Sequence, residues 1–310
     1  GTSEEGRTIA GLRIGSGPNK ALLLAGHHAD EPVGPQTLRT LAASLLSDPN
    51  AHAELLSNWT LYLIPHANPD GEADNRPWID VWPDLPSFVS TVRRELPGRD
   101  LEFAYPDGRP ESMALSAWMR EQGPFDLYAS LHGMAFSEGA LLLIDRSWAG
   151  RSQALQHAFV QAAHDGGLDL HDHNRGGEKG FFYIAPGFTT TPEGRAMQQH
   201  FEHIGDSEMA AHFRLSSMEF VQSLGGDPLC VVTELPLFLV PSDADAPPAS
   251  ARAYLRFKGD LPSLRDDLKR GDTTRLDAWN VRPLDLATAM RIQLATLGSA
   301  LRFREDPLSA

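Results

Sequence analysis

Apolar and polar positions along the chain switch repeatedly between two rhythms. Short continuous apolar runs at residues 21–25, 61–64, 125–130 ("FDLYAS"), 140–144 ("ALLLI") and 229–233 ("LCVVT") have the length and composition of strands buried on both faces. Between them, residues 32–46, 112–121, 151–163, 218–224 and 283–301 read as helices, the first with Val33, Leu38, Leu41 and Leu45 near one face. Residues 8–14 read as one more strand, set off by the turn "GSGPNK". This alternation predicts an α/β fold: a mixed, mostly parallel central sheet with helices on both faces. No internal repeat or low-complexity tract interrupts it, so residues 1–310 are expected to form a single domain. Residues 165–192 are rich in Gly and polar residues, show no period, and exceed an ordinary connection, which predicts a binding loop.

Charge and cysteine content narrow the function classes. A formal net charge of -14 opposes binding to nucleic acid or an anionic membrane surface, both of which require phosphates to be neutralised by Lys and Arg. No apolar run approaches the roughly 18 residues of a membrane span, and no leader pattern opens the sequence, so a cytoplasmic protein is expected. The single cysteine, Cys230, lies among Leu229, Val231 and Val232 and reads as a buried strand residue.

The ends of the predicted strands carry the chemistry. "LLLAGHHADEPVG" closes a buried run with His28, and Glu31 three positions on has the reach to share a divalent cation with it. "NPDG" follows residues 61–64, His132 follows "FDLYAS", and Glu234 follows "LCVVT". In a parallel sheet these C-terminal strand ends meet at one crevice holding two His, two Glu and the nearby Arg76. Two imidazoles, one carboxylate and an open position describe a catalytic zinc site, and a further carboxylate serves to move the proton of the attacking water. "HDHN" at residues 171–174 and the pair His200 and His203 lack a third ligand at an evident spacing.

These segments resemble the zinc metallocarboxypeptidases, of carboxypeptidase A type, as a divergent bacterial-type member. "GTSEEGRTI" is similar to that family's opening G-x-S-x-E-G-R-x-I, "GHHADE" to G-x-H-x-x-E, "NPDG" matches as it stands, "SLHG" holds the place of the third ligand, and "TELP" is similar to T-E-I-P. They occur in the family's order over nearly the whole chain. The resemblance implies one zinc ion held by His28, Glu31 and His132, Glu234 as general base and acid, Arg76 stabilising the oxyanion, and Asp100 supporting the first histidine. It implies hydrolysis of a peptide or peptide-like amide bond in a small peptide or amino-acid conjugate.

One stretch departs from the pattern. "GRDLEFAYPDG" keeps Asp100 but sets Glu102 and Phe103 where the family carries the Asn-Arg pair that clamps the substrate carboxylate. A carboxylate facing a carboxylate is repulsive, so altered specificity is expected, with Glu102 meeting an amine or hydroxyl or with Arg93, Arg94 or Arg109 supplying the missing charge. Tyr183, the only tyrosine of the long loop, corresponds in order to the family's mobile-loop tyrosine. The insertion at 76–98, with Trp78, Trp82 and Phe88, is expected to border the cleft. Two other readings share the ligand pattern: an N-acyl amino acid deacylase like the succinylglutamate desuccinylase and aspartoacylase group, and a non-catalytic binding module on the same fold.

Overall fold

The computed structural model describes residues 1–305. Ten strands form its sheet: β1 (Leu12–Ile14), β2 (Asn19–Ala25), β3 (Trp59–Ile64), β4 (Leu127–Ser137), β5 (Gly139–Ile144), β6 (Asp169–Leu170), β7 (Tyr183–Ala185), β8 (Phe188–Thr190), β9 (Leu229–Leu239) and β10 (Arg282–Pro283). The main order is β1-β3-β2-β4-β9-β5-β8-β7, with β6 beside β5 and β10 beside β9. Strands β3, β2, β4 and β9 run parallel, whereas β1 on β3, β5 on β9 and β7 on β8 are antiparallel. This is the mixed α/β sheet expected from the alternating runs.

Both faces of the sheet are covered, and the side-chain alternation of β2 shows how. Ala21, Leu23 and Ala25 join a core with the helices Val33–Ser47, Gln153–Asp165 and Leu286–Glu305, while Leu22 and Leu24 join a second core with Pro110–Gln122 and Ser217–Ser223. A strand with apolar neighbours on both sides has no polar face to show, which is why β2 and β3 read as unbroken apolar runs. Cys230 is wholly buried in β9, where burial pushes its thiol well up.

Three details differ from the sequence reading. Only Leu12–Ile14 of the expected first strand pairs with β3; Thr8 instead bridges to Thr2. The segment 165–192 is not without regular structure, since β6, β7 and β8 fall within it. The aromatic residues of the 76–98 insertion do not border the cleft. Trp78 and Phe88 are buried with ring centroids 4.8 Å apart, and Phe88 and Trp82 pack 5.1 and 4.9 Å from Phe238. Large rings gain more by joining the core than by lining a wet crevice.

Two polar devices hold the strand ends in place. Asp70 of "NPDG" accepts hydrogen bonds from Ser3 Oγ (2.6 Å), Arg7 Nη1 (2.7 Å) and the Glu5 N–H (2.9 Å), so the opening "SEEGR" and "NPDG" are two halves of one structural tie. Buried Gln293, from the C-terminal helix, donates to the His132 carbonyl (3.2 Å) and Thr233 Oγ1 (3.1 Å) and accepts from Thr37 Oγ1 (2.6 Å).

Candidate metal centre

Four strand ends deliver the site. β2 ends at Ala25, and Gly26 turns the chain with φ of 73°, a left-handed conformation that glycine adopts without steric cost, bringing His27 and His28 over the sheet edge. Glu31 lies just ahead of the helix Val33–Ser47. β4 and β9 pair in a register that sets His132 opposite Glu234. Neither residue could have been placed beside the other from its own neighbours in sequence.

The donor atoms of His28, Glu31 and His132 all lie within 4.8 Å of one another, and all three residues are buried. His28 Nδ1 is 2.8 Å from Glu31 Oε1, His132 Nδ1 is 2.9 Å from Glu31 Oε2, and the two Nδ1 atoms are 3.0 Å apart. On the far side of each ring stands a carboxylate: Asp100 Oδ1 lies 3.3 Å from His28 Nε2, and Glu102 Oε2 lies 3.5 Å from His132 Nε2. With a cation bound, those carboxylates would accept the Nε2 N–H groups and both Nδ1 lone pairs would meet at one point beside Glu31. Two imidazole nitrogens and a carboxylate converging on one point fit a divalent cation, which would displace any proton they hold, and the N/N/O set suits zinc.

Burial and charge act in opposition here. Desolvation works to raise the Glu31 carboxyl, but His28, Arg94 and His132 outweigh it and hold Glu31 well below the usual carboxylate range. Burial works to lower His132, and Glu31 and Glu102 carry it up to about 9. Glu234 behaves differently. Its burial and the Glu31 charge push it up to about 8, and its Oε2 is buried without a hydrogen-bond partner. A carboxyl held near neutrality beside a donor cluster is suited to taking and returning a proton.

Three of the expected site residues have other partners in the structure. Arg76 does not join the cluster: it sits in the last turn of Pro69–Ile79, more than half exposed, paired with Asp80 at 2.7 Å. An i, i+4 partner on its own helix keeps it at the surface. The arginine that reaches the centre is Arg94, whose Nη1 lies 2.8 Å from Asp30 and 2.7 Å from Glu31 and which lines the cavities beside Glu234. Glu102 lines the cavity but lies against protein groups. Its Oε1 accepts from Ser217 Oγ (2.5 Å) and the Ser217 N–H (3.2 Å), and its Oε2 faces His27 Nδ1 (3.1 Å) and His132. His27 is pushed down to about 4 by burial and stays neutral, with Tyr105 Oη 2.9 Å from its Nε2. Tyr183 is absent from the cavity lining, and its hydroxyl donates to Asp172 at 2.7 Å.

A cavity of about 300 Å³ opens on the cluster. His28, Asp100, Glu102, His132 and Glu234 form one part of its wall, Phe103, Met197, Met218 and Val232 an apolar part, and Arg175, Lys179 and Phe181 another. Phe103 is buried with Met197 and Phe213. Arg109 does not line this cavity and is tied to the Arg99 carbonyl and Glu111. The residues missed from sequence are Arg175, Lys179 and Ser217. Only the glycine-rich loop around the first two gave a signal.

The first 82 residues match the family model described as zinc carboxypeptidase. Carboxypeptidase B of Astacus astacus is 35% identical over 85 residues, 25% of this chain and 28% of that protein. Zinc carboxypeptidase A 1 of Drosophila melanogaster is 37% identical over 148 residues, 45% of this chain and 34% of that one. The chain therefore spans about a third or less of the length of these curated relatives. A metallo-carboxypeptidase from Burkholderia cenocepacia has a similar fold, with a TM-score of 0.55 at 16% identity over 99% of this chain and 63% of that one.

Proposed function

From its similarity to the zinc carboxypeptidase family over residues 1–82, we propose that the chain belongs to that family and hydrolyses a peptide or peptide-like amide bond, with residues 1–310 acting as one catalytic domain. His28, Glu31 and His132 hold one zinc ion. The observation that carries this reading is the convergence of two Nδ1 atoms 3.0 Å apart on Glu31, with Glu234 paired across the sheet from His132. Zinc supplies Lewis acidity toward a water and a carbonyl oxygen.

The chain's own residues supply the rest. Glu234 takes a proton from the attacking water and returns it to the leaving nitrogen, and its raised affinity for protons favours the return step. Arg94 lines the same cavity and, with only its Nη1 engaged by Asp30 and Glu31, stabilises negative charge on the reacting oxygen in place of Arg76. Asp100 and Glu102 fix the two imidazoles from behind. With Glu102 and Phe103 in place of an Asn-Arg pair, specificity differs from that of an enzyme clamping a terminal carboxylate at those positions.

Elemental analysis of purified protein tests the site, with one zinc per chain expected and loss of the metal in His132→Ala. A Glu234→Gln variant should keep its zinc and lose roughly 10²- to 10⁴-fold in kcat. Comparing kcat/KM on an N-acyl dipeptide and on a simple N-acyl amino acid separates the peptidase reading from a deacylase. Full metal occupancy with no turnover of either substrate would favour a binding module.

A further inference from the structure

Besides Arg94, the cavity wall carries two cations, Arg175 and Lys179, that form no ion pair with a carboxylate of that wall. Arg94 is taken up by Asp30 and Glu31, whereas Arg175 and Lys179 share a single carboxylate, Glu178, at 3.8 and 3.5 Å. Glu178 is about half exposed and does not line this cavity. Both cations do, with His28, His132 and Glu234, and Lys179 also borders a second cavity together with Glu178. The other ions of that wall have partners of their own, Asp100 against His28, Glu102 against His27 and His132, and Arg94 against Asp30 and Glu31, so Arg175 and Lys179 are the cations least taken up there.

The loop that carries them is pinned. Thr190 Oγ1 donates to the Gly180 carbonyl at 2.9 Å, the Phe182 N–H donates to Thr190 Oγ1 at 3.0 Å, and the Gly177 N–H donates to the Phe181 carbonyl at 3.1 Å. Lys179 itself is held at φ 57°, a conformation uncommon for a residue with a side chain. The Arg175 guanidinium lies 3.9 Å over the Phe181 ring, which fixes its plane. Burial lowers Arg175 below its ordinary value, as expected for a cation that Glu178 compensates only in part.

We propose that Arg175 and Lys179 form an oxyanion-recognition site for the substrate, so that the preferred substrates are acidic amides whose carboxylate is read by this loop rather than at positions 102 and 103. The assignment takes its reaction from the hydrolase reading but not its geometry. The apolar wall of Phe103, Met197, Met218 and Val232 accommodates the rest of the ligand. The carboxylate is either the chain terminus or an acidic side chain.

Calorimetry on zinc-loaded Glu234→Gln protein decides the matter without turnover. The probes are benzoylglycyl-phenylalanine, its C-terminal amide, and benzoylglycyl-glutamate with its α-carboxyl amidated. At least one acid is expected to bind roughly tenfold to a hundredfold more tightly than the neutral amide. Adding Arg175→Ala and Lys179→Ala should abolish that preference while zinc content and binding of the neutral amide stay unchanged, and Arg175→Lys should restore part of it. Which acid is favoured identifies the carboxylate. The proposal falls if neither acid is preferred or bound, or if the double substitution weakens all three probes equally. A preserved acid preference in parent protein that hydrolyses no amide would remove the hydrolase reading and leave this site standing.

Discussion

Glu102 illustrates how a single side chain can change meaning between sequence and structure. Two hydrogen bonds from Ser217 to its Oε1, and the His27 and His132 rings 3.1 and 3.5 Å from its Oε2, hold it below the usual carboxylate range against the cost of burial. A Glu102→Gln variant should therefore keep the fold and bind zinc about 10- to 100-fold more weakly, measured by competition with a chelator. The same substitution should not change preference between amine-bearing and amine-blocked substrates. Arg76→Ala should leave kcat/KM within about twofold, because an exposed ion pair contributes little. Arg94→Ala should cost about 10²- to 10³-fold in kcat, in line with loss of an oxyanion donor. Equal effects of the two arginine variants would refute the placement of Arg94.

At the level of elements, the site is only as good as the contact between the helix Val33–Ser47 and β4. A Cβ added at Gly34 would stand 2.2 Å from the Leu131 carbonyl oxygen, and a backbone atom cannot step aside alone. Gly34→Ala should therefore push the helix off the strand and lower stability by about 1–3 kcal/mol, read from the urea midpoint. Glu31 precedes that helix and His132 follows Leu131, so zinc affinity should fall in the same variant. A destabilised protein with unchanged zinc affinity would show that the helix does not position Glu31. The long central strands were legible because burial on two faces leaves continuous apolar runs, and five helices were legible beside them. The helices Arg252–Lys269, Thr274–Ala278, Pro69–Ile79 and Leu85–Thr91 were not, nor were the short strands β6, β7, β8 and β10. The first carries a proline, and its buried positions Ala253, Phe257 and Leu264 are spread among charged residues.

The whole molecule responds to acid through a buried base. His66, at the strand end that leads into "NPDG", accepts the Asn68 N–H on Nδ1 at 3.1 Å and is pushed down to about 4 by burial. The unfolded chain takes up that proton near 6.5, so it binds more protons than the folded state between those two values. Stability conferred by His66 is complete above 6.5 and is lost as pH falls toward 4, by up to about 3 kcal/mol. His66→Gln, which keeps an acceptor without a titrating base, should flatten that part of the stability profile, measured by denaturation at pH 7 and pH 4.5. An unchanged slope would mean that His66 is protonated in the folded protein. By itself the sequence determined the layered α/β class, the buried central strands and the strand-end His and Glu residues, because burial pattern and residue chemistry are written locally. The tertiary structure alone decided the partners: that His132 faces Glu234, that Glu102 turns to an imidazole, that Arg94 and not Arg76 reaches the centre, and that Arg175 and Lys179 share its cavity. Those outcomes depend on strand register and loop packing between residues far apart in the chain, and local patterning carries no record of either.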